Sequence, residues 1–520
     1  MFRWAQPAQS LEESEVDHGL KMLMYDGMCS QTMGVFTGGA FLVAFALLLG
    51  ASNRTIGLFA AIGPFTQILQ IPSIFLVDRL RRRKLLVVVA SFLGRLAWVS
   101  VALLPWIAPP ESRIPLLIGS LALFFGLSAI SGCAFNSWMR DLIPEKTMGT
   151  YFAKRMAISI ALGAILSLLA GFGIDQAKRI MPEAMGYTIL FLLGTGAGIL
   201  GSWFLARIPE PLMDHSAEDK GLIRTLVQPF RDTNYRRLLF FLAAWNFAVN
   251  LAGPFFVVYM LKRLGLSMTW VLGLAVVSQL INVAFLRIWG KLADRFTNKS
   301  VLAVSGPLFM ISILLWVFTT MPDRYFLTIP LLFLIHALGG MSTAGVGLCA
   351  GNIAMKAAPR GEATSYLATN SLVSGMAATV APILGGFLAD WFSPKELRLT
   401  LSWLNEAVTT QPWTMPAFSL KGLDFLFMGS FVFGLYAMHR LLGVREEGEV
   451  EERVVMDSLY TEVRRSVRHV SNMAGLRYLT YFPYLVLRSV AGEGPPEQEE
   501  PRSDTEPAGD EYGPPIGPSE

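Results

Sequence analysis

The stretch Cys133-Ala134-Phe135-Asn136-Ser137-Trp138-Met139-Arg140 returns 216 residues later as Cys349-Ala350-Gly351-Asn352-Ile353-Ala354-Met355-Lys356. Four identities and one shared positive charge fall within eight positions. With residue frequencies of about 5 to 8%, such a match arises by chance on the order of once in ten thousand. The same offset pairs Leu76, Asp78, Arg79 and Arg83 with Leu292, Asp294, Arg295 and Lys299. With one residue deleted, Pro144, Tyr151, Ala153, Ser159, Gly171, Phe172 and Asp175 pair with Pro359, Tyr366, Ala368, Ser374, Gly386, Phe387 and Asp390. One internal duplication accounts for all three patches.

Composition says what is duplicated. Of 520 residues, 53% are hydrophobic and 16% charged, against about 25% charged in an average soluble protein. Apolar runs of about 18 residues or more recur, long enough to cross a hydrocarbon core about 30 Å thick. The run 301–320 holds no charged residue, and its interruptions, Ser305, Gly306 and Pro307, are ones that membrane helices tolerate. Twelve spans are expected, at 28–50, 54–77, 85–107, 114–135, 152–174, 185–206, 237–260, 268–290, 301–320, 326–350, 365–390 and 422–442. The expected fold is therefore an all-α membrane protein of twelve transmembrane helices in two six-helix bundles. Six is even, so both bundles enter the membrane from one side and the repeat is parallel, about an axis along the membrane normal.

The cations assign that side. Arg79, Arg81, Arg82, Arg83 and Lys84 fill one short loop. Arg140, Lys146, Lys154 and Arg155, then Arg224, Arg231, Arg236 and Arg237, then Lys291, Arg295 and Lys299 fall on the same face. An excess of Lys and Arg marks cytoplasmic loops. Opposite loops are poorer, with Arg54, Arg113 and Arg324 nearly alone in theirs, although Lys178, Arg179, Lys262, Arg263, Lys395 and Arg398 blur the contrast. The expected placement is multi-pass in the plasma (inner) membrane, with both termini cytoplasmic.

The expected segments are an N-terminal cytoplasmic stretch 1–27, a first bundle 28–206, a polar linker 207–236, a second bundle 237–442, an amphipathic and interfacial tail 443–491 and a disordered end 492–520. Glu12, Glu13, Glu15 and Asp17 precede the first apolar run, without the basic region of a secretory signal. Within the tail, 446–474 places Val450, Val454, Leu459, Val463 and Val467 at roughly helical spacing. The run 476–490 is apolar but interrupted by Pro483 and too short to span. Cys29, Cys133 and Cys349 lie in or beside apolar spans, so neither a disulfide framework nor a metal site is expected, and no cofactor.

The stretch Gly290-Lys291-Leu292-Ala293-Asp294-Arg295, with Asn298 and Lys299, resembles the cytoplasmic loop signature of the major facilitator superfamily, and the match reads as a bacterial-type member. In that family the signature follows the second and eighth spans, where both copies lie here, so the resemblance covers about residues 20–442. It implies alternating access, with Asp78, Arg79, Gly290, Asp294, Arg295, Arg140 and Lys356 as gating residues. An aspartate there can accept hydrogen bonds from basic side chains or helix N-terminal amides of the other half. The alternative for the cations is a membrane anchor. The first copy has Ile74 and Arg81 where glycines are expected, and the second has Thr297, so neither loop should turn as tightly as the family's usual one. The family's antiporter signature is missing from the fifth span, with its nearest relative at Ala381-Pro382-Ile383-Leu384-Gly385-Gly386.

Ionisable groups inside spans cost roughly 2.5 to 3.5 kcal/mol at the bilayer centre, so each carries a functional hypothesis. Arg95 lies about 16 Å along a helix from Lys84; it can attract an anionic substrate or pair with a carboxylate as a clamp. Asp26 can exchange a proton or cap the first helix. His336 can titrate or serve as hydrogen-bonded structure. Gln67, Gln70, Asn246, Asn250, Gln279, Asn282 and Asn370, with Trp245, offer amide and aromatic surface to a polar solute; interhelical hydrogen bonding is the competing reading.

Two functions compete. The first is a secondary active transporter or facilitator, moving a small solute with or without a coupling proton or ion, monomeric in the bilayer and without nucleic acid. The second is a non-transporting membrane sensor or membrane-embedded enzyme on the same fold. An enzyme would need a convergent set of catalytic side chains at one depth, which the sequence does not display.

Overall fold

The computed structural model describes residues 6–9, 11–213, 227–320, 323–359, 363–403, 413–446, 448, 450 and 452–473. Eleven of its helices are long and apolar enough to cross a membrane. The second span makes the twelfth: Asn53–Thr66 and Gln70–Leu80 are parted by a 3-10 turn at Gln67–Leu69, so neither piece reaches spanning length alone.

Helix ends follow from local side chains. The first helix begins at Glu13, well before residue 28, because the Glu15 carboxylate accepts the backbone N–H of Glu12 at 3.0 Å and closes the first turn. It runs to Thr37 and resumes as Gly39–Leu48, the break falling at Gly38 and Gly39, the latter at φ +53°. Ser52, Asp232 and Thr297 cap the second, seventh and ninth spans through their side-chain oxygens. The remaining spans are Arg83–Ile107, Pro110–Leu142, Glu145–Ile180, Glu183–Leu205, Thr233–Ala252 with its continuation to Arg263, Met268–Arg295, Asn298–Leu315, Thr328–Lys356, Ala363–Phe392 and Leu423–Leu442.

The halves repeat their packing as well as their sequence. Span 1 lies along 6 and 5, and span 3 along 4 and 6; likewise 7 lies along 12 and 11, and 9 along 10 and 12. Ala134, Trp138 and Met139 are buried against Leu23, Val77, Val87 and Leu205, and Cys349, Ile353 and Ala354 are buried in the second half. The shared octapeptide therefore marks core positions where spans 4 and 10 end.

The basic loop after the second span departs from expectation. Arg81 stands at φ +49°, a left-handed cap whose N–H reaches the Val77 carbonyl. The loop turns tightly after all, at a backbone cost of roughly 1 to 2 kcal/mol that glycine would avoid. Nor is Arg83 a surface anchor. Its side chain is fully buried; it pairs with Asp141, and its Nη2 donates to the Pro211 carbonyl at 2.8 Å. The Glu210 carboxylate accepts the Arg83 backbone N–H at 2.6 Å at the amide end of span 3. Burial pushes the Glu210 carboxyl above its usual range, and the backbone N–H groups of Arg83 and Lys84 draw it back down. The second half has the same device: Glu446 accepts the Lys299 N–H at 2.8 Å and the Asn298 amide at 2.9 Å, and lies 3.9 Å from Lys356.

Unforeseen in the sequence is an antiparallel hairpin between the last two spans, Glu396–Trp403 with Trp413–Lys421, bulged between Leu399 and Thr400. The expected tail helix forms at Glu452–Met473, with Val455 and Leu459 buried and Val454 exposed. A second compact unit begins at Tyr460; of it, residues 460–473 are described, all helical. The stretches 476–490 and 492–520 and residues 214–226 of the linker lie outside the described residues.

Removing one partner of a buried charge network costs about 3 kcal/mol or more. Glu210→Ala should therefore lower the midpoint of thermal unfolding in detergent well beyond Glu446→Ala, because Lys356 is 61% exposed. Equal shifts in tryptophan-monitored melting would contradict this ranking.

Candidate functional site: an inter-half cavity closed at one end

Polar contacts between the halves cluster where spans 2 and 8 begin. There Asp390 of span 11 accepts the backbone N–H of Asn53 at 3.2 Å and of Arg54 at 3.1 Å. Across the pseudo-twofold axis, Asp175 of span 5 accepts the N–H of Met268 at 3.0 Å and of Thr269 at 2.8 Å, along with the Thr269 hydroxyl. Each carboxylate thus caps a helix belonging to the opposite half, where the free amide donors and the helix dipole both favour an anion.

Glycine makes the approach feasible. One turn before each aspartate stand Gly386 and Gly171. A Cβ at Gly386 would lie 2.7 Å from the Asn53 carbonyl oxygen and 2.8 Å from Arg54 Cα; at Gly171 it would lie 2.8 Å from Leu272 Cδ1. The Arg54 guanidinium then rests 4.8 Å from the Phe387 ring. Of these four residues, Gly171, Asp175 and Asp390 entered the sequence reading as repeat markers, and Gly386 both as a repeat marker and as the end of the Ala381–Gly386 stretch. The identical Gly-x-x-x-Asp spacing at both span ends was the available signal.

Between the halves lie two lobes of empty space. One, of about 510 Å³, is largely apolar and includes Gly39, Phe59, Gly63, Phe125, Asn250 and Pro254 among its walls. The other, of about 550 Å³, is lined by Gln67, Gln70, Asn246, Ser371 and Ser374. A third space of about 440 Å³ within the first half shares Gly39, Leu42 and Phe125 with the apolar lobe, and is walled by Ser30, Ser91, Arg95, Ser128, Ser131 and Phe135.

The expected site residues divide accordingly. Gln67 and Gln70 hydrogen-bond each other in the cavity wall, where Asn246 joins them, while Asn250 lines the apolar lobe. Both asparagines also donate back to their own helix, to Leu242 and Asn246. Asn370 accepts from Ser374 at 3.2 Å. Asn282 bridges to span 10 through Gly340 and Thr343, which is the interhelical role, and Gln279 is exposed on span 8. Trp245 is buried against Phe309 and faces none of these lobes, a correction explained by its place on the core side of span 7. His336 hydrogen-bonds the Leu332 carbonyl and meets the Trp316 ring, also inside the second half.

Asp26 does not cap the first helix. Glu12 holds that position, and Asp26 lies in the middle of the helix, buried beside Arg95 at 3.4 Å. The clamp reading of Arg95 is the one its geometry matches. Of the gating residues, Arg79, Arg140, Asp294 and Arg295 are exposed and, among the described residues, reach no partner in the opposite half, Gly290 is partly buried, and Lys356 pairs with Glu446. The side chain of Asp78 lies outside the described residues.

Comparison with known proteins places this geometry. The sequence profile of the Major Facilitator Superfamily matches residues 27–350 and 289–410. A curated relative, the uncharacterized MFS-type transporter YxiO of Bacillus subtilis (strain 168), is 25% identical over 283 residues, 51% of this chain, and the chain spans 63% of that relative's length. Among solved structures, the nucleoside transporter NupG superposes with a TM-score of 0.60 at 13% identity, over 83% of this chain and 100% of its own. The D-xylose-proton symporter gives 0.59 at 14%, over 84% and 98%. A POT family transporter in complex with 5-aminolevulinic acid gives 0.58 at 12%, over 82% and 94%. With its duplicated six-helix halves and a profile match across most of its length, this chain belongs to the Major Facilitator Superfamily.

Proposed function

We propose that this protein is a secondary transporter that carries a small solute by alternating access, and that the conformation described is the one open to the cytoplasm. The observation that carries this reading is the pair of repeat-related carboxylate locks, both at one end of an inter-half cavity. By the Lys/Arg bias, the locked end faces outward, and the end with Arg79, Arg140 and Arg295 faces the cytoplasm of a plasma (inner) membrane. Each half supplies one lock to the other, so a monomer suffices. Sensing and catalysis are set aside, because a symmetric closure beside a solute-sized cavity serves neither.

The magnitudes suit a switch. A carboxylate on exposed helix amides contributes about 0.3 to 2 kcal/mol, so two locks supply a bias of a few kcal/mol. A two-state protein holds its minor state at about 0.1 to 10% under such a bias, and a ligand with unequal affinity for the states can invert it.

Two outcomes check the reading. In a variant with Cys29, Cys133 and Cys349 replaced by alanine, a cysteine at Ala60 in the cavity wall should react slowly with an external impermeant maleimide. Asp175→Asn and Asp390→Asn should each raise that rate about three- to tenfold, at about 1.4 kcal/mol per tenfold, and unchanged labelling would remove the locks from the mechanism. Separately, bridging Arg54→Cys to Phe387→Cys with a short bifunctional thiol reagent should abolish solute exchange in proteoliposomes, with reduction restoring it. Exchange that continues in the bridged protein would contradict opening at that end.

A further inference from the structure

Charge does not balance inside the first half. Asp26 is the carboxylate partner of both Arg95 at 3.4 Å and Arg155 at 3.9 Å, which leaves one positive charge in the cluster. Both terminal nitrogens of Arg95 are engaged: Nη1 donates to the Gly198 carbonyl and to Ser202 Oγ at 2.9 Å, and Nη2 to Ser30 Oγ at 2.8 Å and to Asp26 at 3.4 Å. Ser30 in turn donates to Asp26 at 3.2 Å.

Arg155 differs. Its guanidinium lies flat against span 1, where a Cβ on Gly27 would fall 2.7 Å from its Nε, and it sits 5.8 Å from the centre of the Phe135 ring. Within its span, Tyr151 one turn earlier donates to the Leu20 carbonyl at 2.8 Å and fixes that helix against span 1. Among the described residues Arg155 makes no hydrogen bond, so its planar fork of donors is held by shape on two sides. Phe135, Arg95 and Ser30 line the 440 Å³ space in the first half; Arg155 is not among its lining residues but lies behind Phe135 with its side chain 21% exposed, and no carboxylate is among the walls of that space or of the two inter-half lobes. The second half has neutral residues at the equivalent positions, Asn370 for Arg155, Leu242 for Asp26 and Ile311 for Arg95.

A net charge in such surroundings is costly unless something neutralises it, and a planar guanidinium with free donors matches a carboxylate in two parallel hydrogen bonds. We propose that Arg155, backed by the Asp26–Arg95 pair, is the subsite for a solute carboxylate, so that the transported solute is a small organic monoanion. Asp26 acts there as the counterion that keeps Arg95 in place, and the hydroxyls of Ser91, Ser128 and Ser131 face the remainder of the solute. This rests on the transport reading above, yet it is tested by binding alone.

The probes are acid and amide pairs of equal shape: acetate with acetamide, benzoate with benzamide, and 3-phenylpropionate with its amide. Each is titrated into the purified full-length protein in detergent at constant ionic strength, with thermal stabilisation as the readout. The carboxylates should stabilise saturably and the amides should not. Arg155→Gln should weaken carboxylate binding roughly tenfold or more, as expected for a lost charge-assisted pair, with Arg155→Lys intermediate. Gly27→Ala keeps the arginine but displaces its guanidinium, and should reproduce the loss in a protein that still elutes as a single species. Equal stabilisation by acids and amides, a response unchanged in Arg155→Gln and Gly27→Ala, or no carboxylate response in the wild type would each overturn the proposal. Because the maleimide assay needs no solute, such a result would leave alternating access standing.

Discussion

A carboxylate set against the amide end of a membrane helix is the interaction on which this structure depends. Four of its occurrences form two symmetry-related pairs. Glu210 and Glu446 fasten the ends of their own halves, at the starts of spans 3 and 9. Asp175 and Asp390 reach across to spans 8 and 2 of the opposite half. The chemistry is the same and the consequences differ. The first pair is tied into each half, Glu210 almost wholly buried with Arg83 beside it, and makes a rigid body. The second pair stands at the junction of two bodies, where the same bonds can part without unfolding either.

Small residues decide where the parting surface lies. Gly57 meets the Pro382 carbonyl and Gly386 the backbone of Asn53 and Arg54, while Gly171 meets the Leu272 side chain and the backbone of Met268 and Thr269, so the helices approach closely along the locked end. Toward the other end the lining residues lengthen to Gln67, Gln70, Asn246 and Met376, and the walls separate into a cavity. Close packing without a hydrophobic drive between helices is how membrane interfaces are commonly held. Here it provides a contact that is extensive enough to close one end, with polar bonds few enough to be exchanged.

Duplication supplied the symmetry, and divergence supplied the chemistry. The halves match where helices pack or cap, and they differ where the cavity carries charge. Asn370 replaces Arg155 in the repeat, and of the three spaces the one walled by a cation, Arg95, lies in the first half, while the amides of Gln67, Gln70 and Asn246 line the polar lobe between the halves. Much of this was legible in the sequence: the spans followed from hydropathy, the parallel repeat from the 216-residue offset, and the family from its loop signature. The locks were not recognised, because Asp175 and Asp390 sit at span ends where an acid is unremarkable, and only three-dimensional proximity shows which helix each one caps. Trp245 misled because adjacency to Asn246 along the chain places it on another face of the helix. The hairpin was legible in the alternation of Leu397, Leu399 and Leu401 with polar neighbours but lay hidden in a loop between spans.

The central claim is that the halves rock, closing one end as the other opens. Spin labels can be placed on a cysteine-free background at Arg179 and Lys262 for the locked end, and at Arg79 and Lys291 for the basic end. Pulsed electron–electron distance measurements in lipid nanodiscs would then read both ends in one protein. The account predicts two populations at each end, with the Asp175→Asn, Asp390→Asn double variant lengthening the first distance and shortening the second together. A single distance at both ends, or two distances that lengthen together, would contradict it.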